Sequence, residues 1–360
     1  MSAPRLEIDL KKIYHNARML VDRLAQQGIS VTAVTKASLG SPEIAGALLQ
    51  AGVAGLGDSR IENIEAIRHV QAAASLTLIR TPMLSQAERV VMYADASLNS
   101  ELDVIQRLSL AAQRAQRMHG IVLMIEMGDL REGIMPEDVL FTVRETLCLP
   151  NIAFRGIGTN LACRSGVSPD AKNMARLSAL ADAIEAEFGL SIDIVSGGNS
   201  ANLNWVLNGA NTGRINELRL GESILLGCEP LHRQPIEGLY TDAITLVAEV
   251  IESKIKPSRP TGEIAQTAFG KQPVTEDRGH VAQTILAIGE QDTDPHGLIP
   301  PPGCKVLGAS SDHLVLESNL AMNIGAELSF QLNYSALLRA MTSPFVYKAL
   351  NPLKRTSNSS

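Results

Sequence analysis

The sequence predicts an α/β fold: a closed (β/α)8 barrel over residues 1–234, followed by a smaller, mainly β domain over residues 235–350. Three observations carry this expectation. Eight short apolar runs alternate with stretches of helical periodicity between Val31 and Gly221, and parallel strands in series need such crossovers. Polar residues gather at the C-terminal ends of those runs, where a barrel keeps its active site. After about Pro235 the helical rhythm stops, and β-like runs separated by Pro/Gly-rich turns replace it. An open doubly wound sheet is the alternative that the same alternation permits.

Taken in order, Arg5–Leu10 alternates as a strand that can pair with the β domain, and an amphipathic helix with Ile13, Ala17, Leu20, Val21 and Leu24 on one face follows it. The eight barrel runs are Val31–Lys36, Gly55–Ser59, Leu76–Arg80, Ala96–Asn99, Ile121–Met127, Phe154–Asn160, Asp193–Gly198 and Glu217–Gly221. Helical stretches between them cover Glu43–Ala51, Arg60–Ala72, Gln86–Tyr93, Glu101–Met118, Glu137–Thr146, Ala171–Phe188 and Ala201–Leu207. In the second domain Thr241–Glu252 and Lys305–Glu317 read as strands. The polar tail, 351–360, reads as disordered.

The net charge of −6 argues against a nucleic-acid or anionic-membrane surface. No apolar run reaches membrane-spanning length, and the charged N-terminus does not read as a signal peptide. Four widely spaced cysteines (Cys148, Cys163, Cys228, Cys304) fit reduced thiols, and so a cytoplasmic setting, better than a disulfide frame or a zinc site.

The chemistry centres on Val31-Thr32-Ala33-Val34-Thr35-Lys36. Burying an ammonium at a strand end is costly without a partner. Lys36 therefore either reaches water or a carboxylate, or is a Schiff-base lysine whose desolvated amine attacks an aldehyde. Ser196-Gly197-Gly198-Asn199-Ser200 closes the seventh barrel run and Leu220-Gly221-Glu222-Ser223 the eighth. Each alone reads as a Gly-rich turn; together, after strands seven and eight, they form a candidate phosphate cup. Arg219, inside a strand, needs an acceptor, for instance Glu217 or Glu222, or else faces a pyridine nitrogen.

In that order the lysine run, Met127-Gly128-Asp129-Leu130-Arg131-Glu132-Gly133, Gly158-Thr159-Asn160, Gly198-Asn199-Ser200 and Leu218-Arg219-Leu220-Gly221-Glu222 resemble the alanine racemase-like, fold-type III pyridoxal-phosphate proteins. Asp58-Ser59-Arg60-Ile61-Glu62-Asn63 and the stretch from Asn333-Tyr334 to Ser343-Pro344 look like the ornithine racemase branch. The resemblance spans nearly the whole chain. It implies a racemase that interconverts L- and D-amino acids by α-proton abstraction from an external aldimine, with an ornithine-like or other non-alanine substrate. It also implies that Lys36 holds pyridoxal 5'-phosphate and acts as one base, that Arg131 approaches the phenolic oxygen, and that Asn160 stands where alanine racemases have a His. Ser200 with the N–H groups of Gly221 and Glu222 would hold the phosphate, Arg219 would face the ring nitrogen, and Tyr334 would join the cofactor set. The family's active form is a head-to-tail homodimer in which each β domain closes the other subunit's barrel mouth.

One departure stands out. Racemisation with two bases needs a group on each face of Cα, and alanine racemases use a Tyr from the partner's β domain for the second. The equivalent stretch, Gly262–Gly270, has no Tyr and places Thr267 there. Other candidates are His280, Asp292, Asp312 and His313, with Cys304 behind them. Two other readings compete: a D-amino-acid aldolase or dehydratase, disfavoured because Val315 stands where a second metal ligand would follow His313, and a non-catalytic pyridoxal-phosphate-binding protein, disfavoured by the β domain. No metal is expected.

Overall fold

The computed structural model describes residues 2–270 and 276–353 and divides into two units. One is Leu10–Tyr240; the other combines the first nine residues with the chain from Thr241 onward. Strand β1 (Arg5–Asp9) belongs to the second unit, where it pairs antiparallel with Ile244–Val247 and parallel with Tyr347–Asn351.

The first unit is a closed eight-stranded parallel barrel of the TIM type. Its elements are α1 (Leu10–Ala25), β2 (Ser30–Val34), α2 (Pro42–Gln50), β3 (Gly55–Asp58), α3 (Ile61–Val70), β4 (Leu76–Leu78), α4 (Ala87–Tyr93), β5 (Ala96–Asn99), α5 (Leu102–Ala115), β6 (His119–Met124), α6 (Val139–Leu147), β7 (Ile152–Gly158), α7 (Ala171–Phe188), β8 (Ile194–Gly198), α8 (Asn202–Leu207), β9 (Glu217–Leu220) and α9 (Glu222–Leu226). Strands β2 to β9 pair in sequence order, and β9 closes on β2 through Ser30–Ala33 opposite Glu217–Leu220.

Local chemistry fixes the helix starts. Ser41 accepts the Ile44 N–H and Pro42 takes the first helical position of α2. Asp170 and Asn173 cap α7 reciprocally, and Gly189, at φ +62°, ends it in the left-handed region. Amphipathic α1 buries Ile13, Ala17, Leu20 and Leu24. The barrel interior is not purely apolar: Ser97 Oγ lies 2.8 Å from His119 Nε2, and burial pushes this imidazole down to about 4.

In the second unit β10 (Ile244–Pro257), β11 (His280–Leu286), β12 (Leu298–Ile299), β13 (Cys304–Ala309), β14 (Leu314–Ser318) and β15 (Glu327–Leu332) run in the order β12-β15-β10-β11-β14-β13, with β1 on β10. Helix α10 (Tyr334–Thr342) and β16 (Tyr347–Asn351) complete it. Lys305–Glu317, expected as one strand, is a hairpin. Ser310-Ser311-Asp312-His313 breaks the alternation with turn formers, and Ser310 N donates to His313 O at 2.9 Å. The strand expected over Thr241–Glu252 starts at Ile244 and continues to Pro257, because β11 pairs along its second half. Asn351 ends the last strand; 354–360, most of the tail expected to be disordered, lies outside the described residues.

Strands β6 and β7 slip register between Ile121 and Val122, and Gly156 sits at that irregularity with φ +145°. A Cβ there would lie 1.9 Å from Ile194 O on β8. Gly156→Ala should therefore destabilise the chain by about 3 kcal/mol or more, seen as a lower denaturant midpoint at unchanged slope.

Candidate active site

The mouth of the barrel is assembled where its strands end. After β2, buried Thr35 donates its N–H to Gly57 O at 2.9 Å and its hydroxyl to Asp58 Oδ2 at 2.7 Å. Lys36 follows at once and opens a 3-10 turn, Lys36–Ser38. Burial holds its amine below the ordinary lysine range; the charge of Cys163 opposes that shift, Arg131 adds to it, and Asp58 and Glu132 oppose it. Asp58, 1% exposed, also accepts the Arg60 N–H at 2.9 Å and Asn63 Nδ2 at 3.0 Å. Burial raises this carboxyl, and its donors Thr35, Arg60, Asn63 and Ser59 pull the other way without cancelling it.

Arg219 on β9 is 4% exposed. It donates to Ser196 Oγ and, at 2.7 Å, to Thr159 O, while Glu217 Oε2 stands 4.0 Å away. Burial lowers its pKa, yet a guanidinium remains cationic in proteins. The expected acceptor Glu222 is engaged elsewhere, with Arg233. The two Gly-rich exits meet: Ser200 Oγ lies 2.9 Å from Ser223 Oγ, both residues buried, and accepts the Ser223 N–H at 3.3 Å. Gly198 there has φ +137°, and a Cβ on it would meet Asn202 Oδ1 at 2.4 Å.

After β6, Arg131 pairs with its neighbour Glu132. That loop is tied to the one after β7 by Asp129, 1% exposed, which accepts the N–H groups of Arg164 at 2.9 Å and Ser165 at 3.0 Å. Asn160 Oδ1 accepts Asn199 Nδ2 at 3.1 Å, and the same amide reaches Leu161 O and Cys163 Sγ. Asn160 Nδ2 is buried and has no hydrogen-bond partner among the described residues.

The fold thus brings together Lys36, Arg131, Asn160, Ser200, Arg219, Gly221 and Glu222 around one barrel. The remaining candidates belong to the other unit. Tyr334 opens α10; His280, exposed, opens β11; exposed Thr267 lies between β10 and β11. Asp292 is buried and accepts Ser343 Oγ at 2.7 Å. Asp312 and His313 bond each other at 2.9 Å in the hairpin turn. Cys304 starts β13, half-buried, with its thiol pushed up by burial. Among the described residues, no group of three or more His, Cys, Asp or Glu could hold a metal ion, and no helix is long and apolar enough to cross a membrane. Thr35, Thr159, Ser196 and Ser223 all stand inside the motifs read from the sequence, Ser196 and Ser223 in the two loops of the candidate phosphate cup, but none was given a partner there.

Residues 8–230 match the family model of the alanine racemase N-terminal domain. The chain belongs to the alanine racemase-like family. It is 39% identical over 352 residues to an ornithine racemase of Acetoanaerobium sticklandii, covering 96% of this chain and 99% of that protein. It is also 39% identical over 355 residues to a lysine racemase of Thermotoga maritima, covering 98% and 99%. Among solved structures, an alanine racemase from a D-cycloserine-producing Streptomyces lavendulae superposes with a TM-score of 0.75 at 17% identity, covering 98% of each chain.

Alanine racemase-like proteins work with pyridoxal phosphate, and the barrel mouth fits that group in three respects. It has an amine held below its ordinary range, a cluster of buried hydroxyls and N–H groups at the exits of β8 and β9, and an orphaned amide nitrogen on Asn160. In this family member Asp58 fixes the residue before the lysine. Asp58→Ala would remove the acceptor of the Arg60 N–H and of Asn63 Nδ2, and would leave the Thr35 hydroxyl only its longer bond to Gly57 O at 3.3 Å. It should cost about 2–3 kcal/mol in denaturant unfolding, and Asp58→Asn, which keeps one acceptor, about half of that.

Proposed function

We propose that this chain is a pyridoxal-phosphate-dependent racemase of basic amino acids, with ornithine and lysine as the first substrates to test. The observation that carries the reading is the half-buried lysine just beyond the first barrel strand, its amine shifted below the ordinary lysine range, in a chain 39% identical to proteins named ornithine racemase and lysine racemase. When bound, pyridoxal phosphate supplies an aldehyde for amines and a conjugated ring that delocalises charge from the substrate Cα.

The chain's own residues do the rest. Lys36 attaches the cofactor and moves a proton at Cα on its own side. Ser200 and Ser223, with the N–H groups of Gly221 and Glu222, hold the phosphate. Arg219 only donates, so a ring nitrogen that accepts from it is unprotonated. That limits how far charge is drawn from Cα and favours returning the proton there. Arg131 serves the phenolic oxygen and Asn160 lines the ring. The working form in this reading is a head-to-tail homodimer with Tyr334 contributed to the cofactor set. The four free thiols support a cytoplasmic setting.

Cofactor-loaded protein in D2O, followed by NMR with L- and D-ornithine, lysine, alanine and serine, should exchange the α-proton of a basic amino acid and form its opposite enantiomer. Lys36→Ala should abolish both. Bound cofactor with no exchange on any member would overturn the racemase reading. A depressed lysine pKa leaves more neutral amine at a given pH. The rate of cofactor attachment should therefore level off at a pH below about 10.4, the ordinary lysine value, in stopped-flow absorbance.

A further inference from the structure

We propose that Asn160 donates a hydrogen bond from Nδ2 to the phenolic oxygen of the cofactor, as a second and immobile partner beside Arg131. The inference rests on the cofactor part of the reading above. Among the described residues three buried polar side-chain atoms lack a partner: Asn99 Oδ1, His119 Nδ1 and Asn160 Nδ2. The first two belong to fully buried side chains that share Ser97 Oγ, at 3.0 and 2.8 Å. Asn160 alone of the three is half-buried, in the loop that leaves β7 at the barrel mouth. A buried donor left unpaired is costly, so a mouth that keeps one is built for an acceptor that arrives with a ligand.

The surroundings fix which end of this amide is the donor. Asn199 Oδ1 accepts the Ala201 N–H at 2.8 Å, and Asn199 Nδ2 donates to Leu161 O at 2.9 Å. Both partners are backbone groups of one polarity, so Asn199 has a single orientation. The Asn160 atom that meets Asn199 Nδ2 at 3.1 Å is therefore the oxygen, and the unpaired atom is the nitrogen. The backbone behind it is pinned. Buried Thr159 donates its N–H to Ser196 O at 3.0 Å and its hydroxyl to Ile125 O at 2.9 Å, and its carbonyl accepts Arg219 Nη2 at 2.7 Å. Asn160 is thus tied on one side, through Thr159 O, to the arginine assigned to the ring nitrogen. On the other side it is tied to the residue that precedes Ser200 of the phosphate cup.

The cofactor offers three kinds of acceptor to this rim. The phosphate belongs to the exits of β8 and β9, the side to which the amide oxygen is turned, and the nitrogen of a planar amide points elsewhere. The ring nitrogen has one lone pair, and Arg219 takes it. The phenolic oxygen remains. It goes with Arg131 at the exit of β6, which pairs with β7 on the edge away from β8. An anionic oxygen has lone pairs for both donors. Arg131 must leave Glu132 to serve it, whereas Asn160 Nδ2 has nothing to leave. An amide also stays a donor at every working pH and neither takes nor returns a proton. Asn160 therefore orients the ring and steadies its negative oxygen without acting on Cα.

The test is a binding cycle on the full chain: wild type, Asn160→Ala and Asn160→Asp, each titrated with pyridoxal phosphate and with its 3-deoxy analogue, which lacks the phenolic oxygen. Asn160→Asp keeps the side-chain volume and the acceptor for Asn199, and removes the donor. Melting curves of the cofactor-free proteins check that the variants fold. With pyridoxal phosphate the dissociation constant, read from cofactor absorbance, should rise at least about five-fold in each variant. With the deoxy analogue, variants and wild type should agree within about two-fold. A smaller rise with pyridoxal phosphate would overturn the proposal. So would an equal rise with both ligands, which is the mark of a purely structural role. Wild type that binds neither ligand would bring down the pyridoxal-phosphate reading and this proposal with it. Protein that shows the expected cycle and racemises no amino acid would bring down the racemase reading alone and leave this proposal supported.

Discussion

The barrel mouth is organised around one half-buried amine. Lys36 ends an apolar strand, and its ammonium would be poorly solvated there. Burial shifts its pKa downward, and the fold fixes the backbone that presents it. Asp58 does the fixing through Thr35, one residue before the lysine and one strand away. This buried carboxyl is itself raised by its surroundings. Burial thus shifts two groups that would each prefer water in opposite directions, and hydrogen bonds hold the backbone between them.

The same device recurs around the rim. Thr35 and Asp58 join β2 to β3; Asp129 joins the loops after β6 and β7; Asn199 joins the exits of β7 and β8; Ser200 and Ser223 join those of β8 and β9. Arg219 spans three strands by donating to Ser196 and to Thr159 O. Each such bond contributes about 1 kcal/mol net, but orphaning a buried member costs about 1–3 kcal/mol. Their effect on stability is therefore modest when intact, and their effect on geometry is large, because every displacement exposes an unpaired group.

This pattern explains which parts of the molecule could be read from the chain. The barrel was legible because its eight apolar runs and intervening amphipathic stretches carry the two backbone periods directly. Lys36 was legible because an ammonium at the end of an apolar run is a local anomaly. The hairpin within 305–317 was not: four polar residues between two alternating runs look like a strand's exposed face until a partner is known. The partners of Arg219 were not legible either. Its sequence neighbours Glu217 and Glu222 looked sufficient, whereas the fold supplies a hydroxyl and a carbonyl from β8 and β7. Cross-strand bonds between residues 23 and 60 positions apart leave no mark in a local pattern.

The two arginines of the mouth, similar in sequence, differ in what it takes to move them. Arg219 is enclosed, and its hydrogen bonds go to buried atoms, so any rotation strands a guanidinium in an apolar surround. Arg131 pairs with Glu132 at 35% and 29% side-chain exposure, where an ion pair contributes only about 0–1 kcal/mol. A bound anionic oxygen can therefore draw Arg131 away from Glu132 at small cost, and the carboxylate released keeps access to water. Arg219 is thus the fixed one of the two and Arg131 the one that can move at small cost.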